Sequence, residues 1–269
     1  MTPPASLTLV VPCYNEARRL DSAAFHSALQ QFAWLRLCFV NDGSTDASAS
    51  LLEDLQSKAP TRIDVITLPR NGGKAEAVRA GLLHAAAISD YCGFWDADLS
   101  APLTEIGALY AVFAAEPAVE WVFGIRLRSL GRHITRGALR HYIGRVFATL
   151  ASGALGIGTY DTQCGAKLFR VTPLLRDVLS EAFLSPWVFD VEMLSRADAL
   201  LRATSGAQID AVIFEQPLRR WHHRGGSKVR PIDLIRASVD LFRIRGAQSR
   251  WRRALRTGTD TPASTHGAA

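Results

Sequence analysis

Apolar residues fall along this chain in short unbroken runs separated by segments of helical spacing. Leu7 to Pro12 (LTLVVP), Leu35 to Val40, Ile63 to Leu68 and Tyr91 to Trp95 each read as a strand covered on both faces. Between them the pattern predicts a turn at Cys13-Tyr14-Asn15-Glu16 running into a helix to about Phe32, a helix through about Lys58, and a third from Lys74 to about Ser89. Strands that alternate with helices of this length imply right-handed crossovers and a parallel, doubly wound sheet. Further on, the spacing predicts a helix over Ala101 to Ala115, a fifth strand at Glu120 to Ile125, a loop and strand within Tyr160 to Arg170, a helix from Trp187 to Leu201 and a last strand at Ile209 to Phe214. Arg219 to Lys228 is too polar and glycine-rich for regular structure. Pro231 to Arg245 reads as an amphipathic helix with Ile232, Ile235, Val239 and Phe242 on one face, and the small polar residues from Thr257 to Ala269 are expected to be disordered.

With 269 residues, 48% of them hydrophobic, the chain is long enough for one substantial α/β core and an appendage. We divide it into an α/β body over residues 1–217, a basic segment over 218–256 and a tail over 257–269. The net charge of +6 is unevenly spread: from Arg219 to Arg256 twelve Arg and Lys stand against only Asp233 and Asp240. A basic appendage on a slightly acidic body suits an anionic partner such as phospholipid, nucleic acid or a phosphorylated substrate. Cys13, Cys38, Cys92 and Cys164 have neither Cys-x-x-Cys spacing nor scaffold density, which predicts buried, reduced thiols. No charged n-region and apolar h-region opens the chain, and the most apolar window, Ala108 to Ile125, is broken by Glu116, Pro117 and Glu120. The expectation is an intracellular protein, soluble or peripheral on the cytoplasmic face of a membrane.

Chemistry gathers where the runs stop. PCYNE, NDGSTD, RNGGK and DADLSAP follow successive strands, so in one parallel sheet they share an edge, the edge where open α/β sheets bind ligands. An isolated Asp-x-Asp is most often a solvated turn. At the fourth strand end, beside three convergent loops, Asp96 and Asp98 instead offer hard oxygen ligands for Mg²⁺ or Mn²⁺ bound to a diphosphate. Tyr14, Glu16 and Asp42 have the groups to line a nucleoside pocket, a ring to pack on a base and carboxylates to accept from base or ribose. Asn71-Gly72-Gly73-Lys74 lacks the spacing of a Walker loop, since Ala75 stands where Ser or Thr is required, but its glycines permit close approach at a helix N-terminus. Arg126, Arg128, Arg132, Arg136, Arg140 and Arg145 follow the fifth strand without an acid among them, either as a solvated face or as holders of an anion.

In order, VVPCYNEARRL, FVNDGSTD, RNGGKAEAVRAGL, FWDADLSAPLTEI, GIR, YDTQCGAKLFR, WVFDVEML and WHHRGGSK resemble the family 2 glycosyltransferases of GT-A fold, most of all the dolichyl-phosphate β-glucosyltransferase branch, over about Leu7 to Arg245. That resemblance implies a Rossmann-like, mostly parallel α/β sheet flanked by helices. It implies inverting transfer of a hexose, glucose first, from a UDP-sugar to a polyprenyl (dolichyl or undecaprenyl) monophosphate. GDP-mannose as donor is the near alternative. A basic nucleic-acid-binding module is the alternative of another class, and it leaves the ordered strand-end motifs unexplained. Under the resemblance Asp98 binds the metal, and Asp96 shares it or reaches the donor's ribose. Arg126, Arg140 and Lys228 hold phosphate, and Asp161 orients sugar or acceptor without acting as a base. Contacts to donor or acceptor are expected at Pro12, Tyr14, Glu16, Asp42, Gly43, Asn71, Lys74, Asp96, Ala97, Gln163, Trp221 and Ser227. Two departures stand out: Asn41 replaces the first Asp of Asp-Asp-Gly-Ser, and Ser100 stands where mannosyl relatives carry Gln; a membrane anchor like that of the eukaryotic glucosyl enzymes is not expected.

Overall fold

A computed structural model describes residues 5–127, 133–135, 158–222, 239–248 and 251. The first four apolar runs form β1 (Leu7–Cys13), β2 (Leu35–Asn41), β3 (Ile63–Thr67) and β4 (Tyr91–Trp95). Between them lie α1 (Ser22–Gln31), α2 (Ser48–Lys58) and α3 (Lys74–Ile88). A 3₁₀ turn at Leu103–Glu105 leads into α4 (Ile106–Ala115), then β5 (Trp121–Ile125), β6 (His133–Thr135) and β7 (Ala166–Arg170). The chain continues through α5 (Pro173–Leu179), α6 (Phe189–Thr204), β8 (Ile213–Pro217) and β9 (Arg220–His222).

One seven-stranded sheet runs in the order β3-β2-β1-β4-β7-β5-β8, and only β7 opposes the rest. Alternate side chains of each strand enter different cores. Leu7, Leu9 and Val11 pack with Phe25 of α1, Leu52 of α2 and Leu109 of α4, while Val10 packs with Val78 of α3, Leu175 of α5 and Met193 of α6. Burial on both faces is why these strands are unbroken apolar runs; each such side chain contributes about 1.5–3 kcal/mol.

The structure corrects several boundaries. The first helix begins at Ser22, later than the sequence pattern suggests, because Asn15 sits at φ 52° and residues 16–20 turn before Asp21 caps Ala24 N–H at 3.0 Å. The mostly parallel sheet takes in one reversed strand, β7, paired with β4 from Trp95↔Ala166 to Tyr91↔Arg170. A short apolar run does not encode strand direction. The last large-sheet strand is shifted to Ile213–Pro217, since Ile209–Ala211 forms a 3₁₀ turn. Part of the glycine-rich segment is ordered as β9, whose Arg220, Trp221 and His222 alternate exposed, buried, exposed beside β6.

Residues 239–248 are helical, and the buried side is Leu241, Ile244 and Ala247. Leu241 and Ile244 join the second core, whereas Val239 and Phe242, expected on one apolar face, are exposed. Ile232 and Ile235 of that expected face lie outside the described residues.

Candidate active site

Four loops meet at the edge where β1, β2, β3 and β4 end. The first two are laced together: Asn15 N–H donates to Ser44 Oγ at 3.0 Å, Glu16 N–H to Ser48 Oγ at 2.8 Å, and Thr45 N–H to Asn15 Oδ1 at 2.8 Å. Asp42, 3% exposed, accepts from Gly72 N–H at 2.7 Å and Gly73 N–H at 2.9 Å, and Asn71 Nδ2 donates back to the Asp42 carbonyl at 3.2 Å. Gly43, at φ +62°, lets that loop close, since a Cβ there would lie 2.6 Å from Arg70 C and Asn71 N. The carboxylates expected to face a nucleoside are therefore committed to protein donors: Asp42 to backbone, Glu16 to a fork from Arg19 at 2.9 and 2.5 Å. They build the wall of the cradle, while Tyr14 is exposed at its rim and Pro12 half-buried behind it.

The Asp-x-Asp turn is fixed from below. Trp95, fully buried, donates from Nε1 to the Ala101 carbonyl at 2.7 Å, and Asp96 N–H donates to the Gly165 carbonyl at 2.9 Å. Leu99 is held at φ 51°, and Ser100 N–H donates to Asp98 Oδ1 at 2.9 Å. Gly165 is required at its position, because a Cβ would overlap the Asp96 carboxylate. Ala97 is buried, so of the residues in this turn the half-exposed Asp96 and Asp98 are the ones that present side chains. Asp96 Oδ1 pairs with Lys74 Nζ at 2.5 Å. Burial works against the Lys74 ammonium, but Asp96 and Asp190 outweigh it and hold its pKa above the ordinary value.

Beside this pair, at the end of β5, Arg126 forks onto Asp161 with Nε–Oδ2 and Nη2–Oδ1 both at 2.6 Å. Its guanidinium lies 5.4 Å from the ring centre of Trp221. Burial again opposes the charge, and Asp161 more than restores it, so Arg126 stays cationic. Glu215 of β8 accepts from Tyr160 N–H at 2.7 Å and secures the Asp161 loop; burial, only partly offset by those backbone donors, raises its carboxyl. Gln163 Nε2 is buried without a hydrogen-bond partner. Arg140, Ser227 and Lys228 lie outside the described residues.

Four charged residues that the sequence reading passed over belong to this framework. Lys167, with no exposed surface, pairs with Asp190 Oδ1 at 2.7 Å and donates to the Cys164 carbonyl at 2.5 Å. Burial raises the Asp190 carboxyl despite Lys167 and Lys74. Glu105 accepts from Arg219 and Arg220 N–H at 3.0 and 3.1 Å, and Glu215 acts as described above. The available signal was a charge inside an apolar stretch, as in AKLFR and VFDVEML. All four cysteines are free and buried, and burial pushes the Cys164 thiol up to about 12, so it is no nucleophile.

Residues 8–176 match the family described as Glycosyl transferase family 2. This chain belongs to that family. Among curated relatives, a dolichyl-phosphate beta-glucosyltransferase of Trichomonas vaginalis is 30% identical over 250 residues, covering 88% of this chain and 70% of the relative. The dolichyl-phosphate beta-glucosyltransferase of Saccharomyces cerevisiae is 29% identical over 265 residues, covering 90% and 74%. In structure, glucosyl-3-phosphoglycerate synthase from Mycobacterium tuberculosis, solved with Mn²⁺, UDP-glucose and phosphoglyceric acid, superposes with a TM-score of 0.63 at 19% identity, covering 90% of this chain and 80% of that one. At that identity the likeness is one of fold, and the helix-flanked, mostly parallel sheet is the GT-A fold of a family 2 glycosyltransferase.

The pair fits a divalent cation in one respect, since an Asp96 oxygen already bears a positive charge in the form of Lys74. Among the described residues no three His, Cys, Asp or Glu side chains could hold an ion alone. A cation at Asp96 and Asp98 would therefore complete its shell with diphosphate and water, as Mg²⁺ commonly does.

Proposed function

We propose that this family 2 glycosyltransferase moves a hexose, glucose foremost, from a UDP-sugar to a polyprenyl monophosphate with inversion at the anomeric carbon. The observation that carries the reading is the meeting of the Asp96–Lys74 pair with the Arg126–Asp161 fork at the edge where the PCYNE, NDGSTD and RNGGK loops interlock. The names of the relatives add the dolichyl phosphate acceptor, and the structural neighbour adds UDP-glucose and Mn²⁺. Asp98 and Asp96 would hold Mg²⁺ or Mn²⁺, which when bound neutralises charge on the leaving diphosphate.

The acceptor's chemistry removes the need for a base. A phosphate monoester has a second pKa near 6 and is largely dianionic at neutral pH. What the protein must do is hold two anions together, through Arg126 and, on the sequence reading, Arg140 and Lys228. Asp161 has both oxygens held by Arg126, an arrangement suited to positioning and not to proton abstraction.

For the lipid, the supporting feature is a set of exposed apolar side chains, Leu184, Trp187, Val239 and Phe242, the last 75% exposed, with Arg243 beside it. Ser185 Oγ bonds Asp240 Oδ2 at 2.7 Å and ties these segments together, and Pro186 lies against Gly73 of the donor loop. This side would rest on an anionic membrane on its cytoplasmic face. Among the described residues no helix is long and apolar enough to cross a membrane.

The test offers radiolabelled UDP-glucose, UDP-galactose, UDP-N-acetylglucosamine and GDP-mannose with a polyprenyl phosphate and Mg²⁺ or Mn²⁺. Label is expected to enter the lipid fraction from UDP-glucose. Preferential transfer from GDP-mannose would reassign the donor, and absence of lipid product with every donor would sink the reading.

A further inference from the structure

We propose that Lys74 is an exchangeable counter-ion, occupying Asp96 until a divalent cation arrives and then passing its pairing to Asp190, which thereby acts as a positioning residue. The proposal rests on the reading of Asp96 and Asp98 as metal ligands.

Asp96 is the immovable partner. Its N–H is bound to the Gly165 carbonyl at 2.9 Å, and its carboxylate lies against Gly165 so closely that even a methyl group is excluded there. A cation approaching this carboxylate therefore meets the Lys74 ammonium at 2.5 Å, and the flexible four-carbon side chain is the part able to leave. Coulomb repulsion between an ammonium and a dication at one carboxylate makes joint occupancy unfavourable.

The geometry supplies a destination. Lys74 Nζ lies 5.7 Å from the ring centre of Phe94 and 6.0 Å from that of Phe189, the residue preceding Asp190, so the ammonium already sits on a path lined by aromatic faces. Asp190 attracts it through the same space. Asp190 Oδ1 faces Lys167 Nζ at 2.7 Å, and that ammonium also donates to the Cys164 carbonyl at 2.5 Å. A buried carboxylate whose lysine partner also serves a backbone carbonyl has lone pairs left to accept from a second ammonium.

The experiment is a titration of the full chain with Mn²⁺ alone, without nucleotide, reading free Mn²⁺ by electron paramagnetic resonance. Wild-type binding that Asp98→Asn does not weaken would remove the metal reading itself. Given that binding, Lys74→Met is expected to tighten Mn²⁺ about tenfold, and Lys74→Arg, which keeps a cation, to stay near wild type. Asp190→Asn is expected to weaken Mn²⁺ about tenfold in the wild-type background and to have no effect in the Lys74→Met background. Unchanged or weaker binding in Lys74→Met overturns the exchange, as does an Asp190→Asn effect of equal size in both backgrounds. Circular dichroism checks each variant for folding; should Asp190→Asn not fold, the Lys74→Met and Lys74→Arg pair decides.

Discussion

Asp96 and Asp98 stand one residue apart and do different work. Asp96 is locked against Gly165 and paired with Lys74, while Asp98 braces the turn through Ser100 N–H. Asp98→Asn keeps an acceptor for that N–H, so the fold is expected to survive with an unchanged melting temperature while turnover falls by roughly 10²–10³-fold. Gly165→Ala forces a methyl into the Asp96 carboxylate and is expected to cost about 1–3 kcal/mol in urea unfolding. The position of Asp96 and Asp98 was legible because the fourth apolar run stops just before them, at the edge that the other strand-end loops share. Lys167 and Asp190 were not, because a buried charge is explained only by a partner, and strand and helix come together only in three dimensions. Not legible in Asp42 was its acceptance of the Gly72 and Gly73 N–H groups, which ties the second loop to the third.

Elements repeat the lesson on a larger scale. The order of β1 to β4 and their helices follows from period and turn chemistry, whereas the direction of β7 depends on where a long connection returns, which no local pattern records. Glu215 on β8 holds the returning loop, and its carboxyl is raised by burial. A raised acid stabilises the fold fully below its unfolded value of about 4.3 and loses that contribution as pH climbs through the folded value. Glu215→Gln retains an acceptor without titrating. Denaturant midpoints measured from pH 4 upward should show wild type losing stability relative to this variant as pH rises; parallel profiles would refute the burial argument. The helix over residues 239–248 has two apolar sides with different fates. Ile244→Asp is expected to destabilise the fold, since Ile244 is fully buried, whereas Phe242→Asp should leave thermal stability unchanged and reduce co-sedimentation with anionic liposomes.

At the level of the whole molecule, the parallel strands end and the reversed β7 begins at one edge, which brings together residues from Tyr14 to Trp221. The Arg126–Asp161 fork holds two points of that edge in register. Both side chains are largely buried, so Arg126→Ala strands a carboxylate and is expected to cost about 3–5 kcal/mol by chemical denaturation, with Arg126→Lys recovering part of it. The same fork joins positions 35 residues apart in sequence. In polymer terms it is a non-covalent clasp, and the entropy lost in bringing two positions of a chain together grows only with the logarithm of the length between them. Doubling that length would cost about 0.6 kcal/mol, little beside the clasp itself. Lengthening the chain between Arg126 and Asp161 is therefore expected to leave the fork, and the carboxylates beside it, in place.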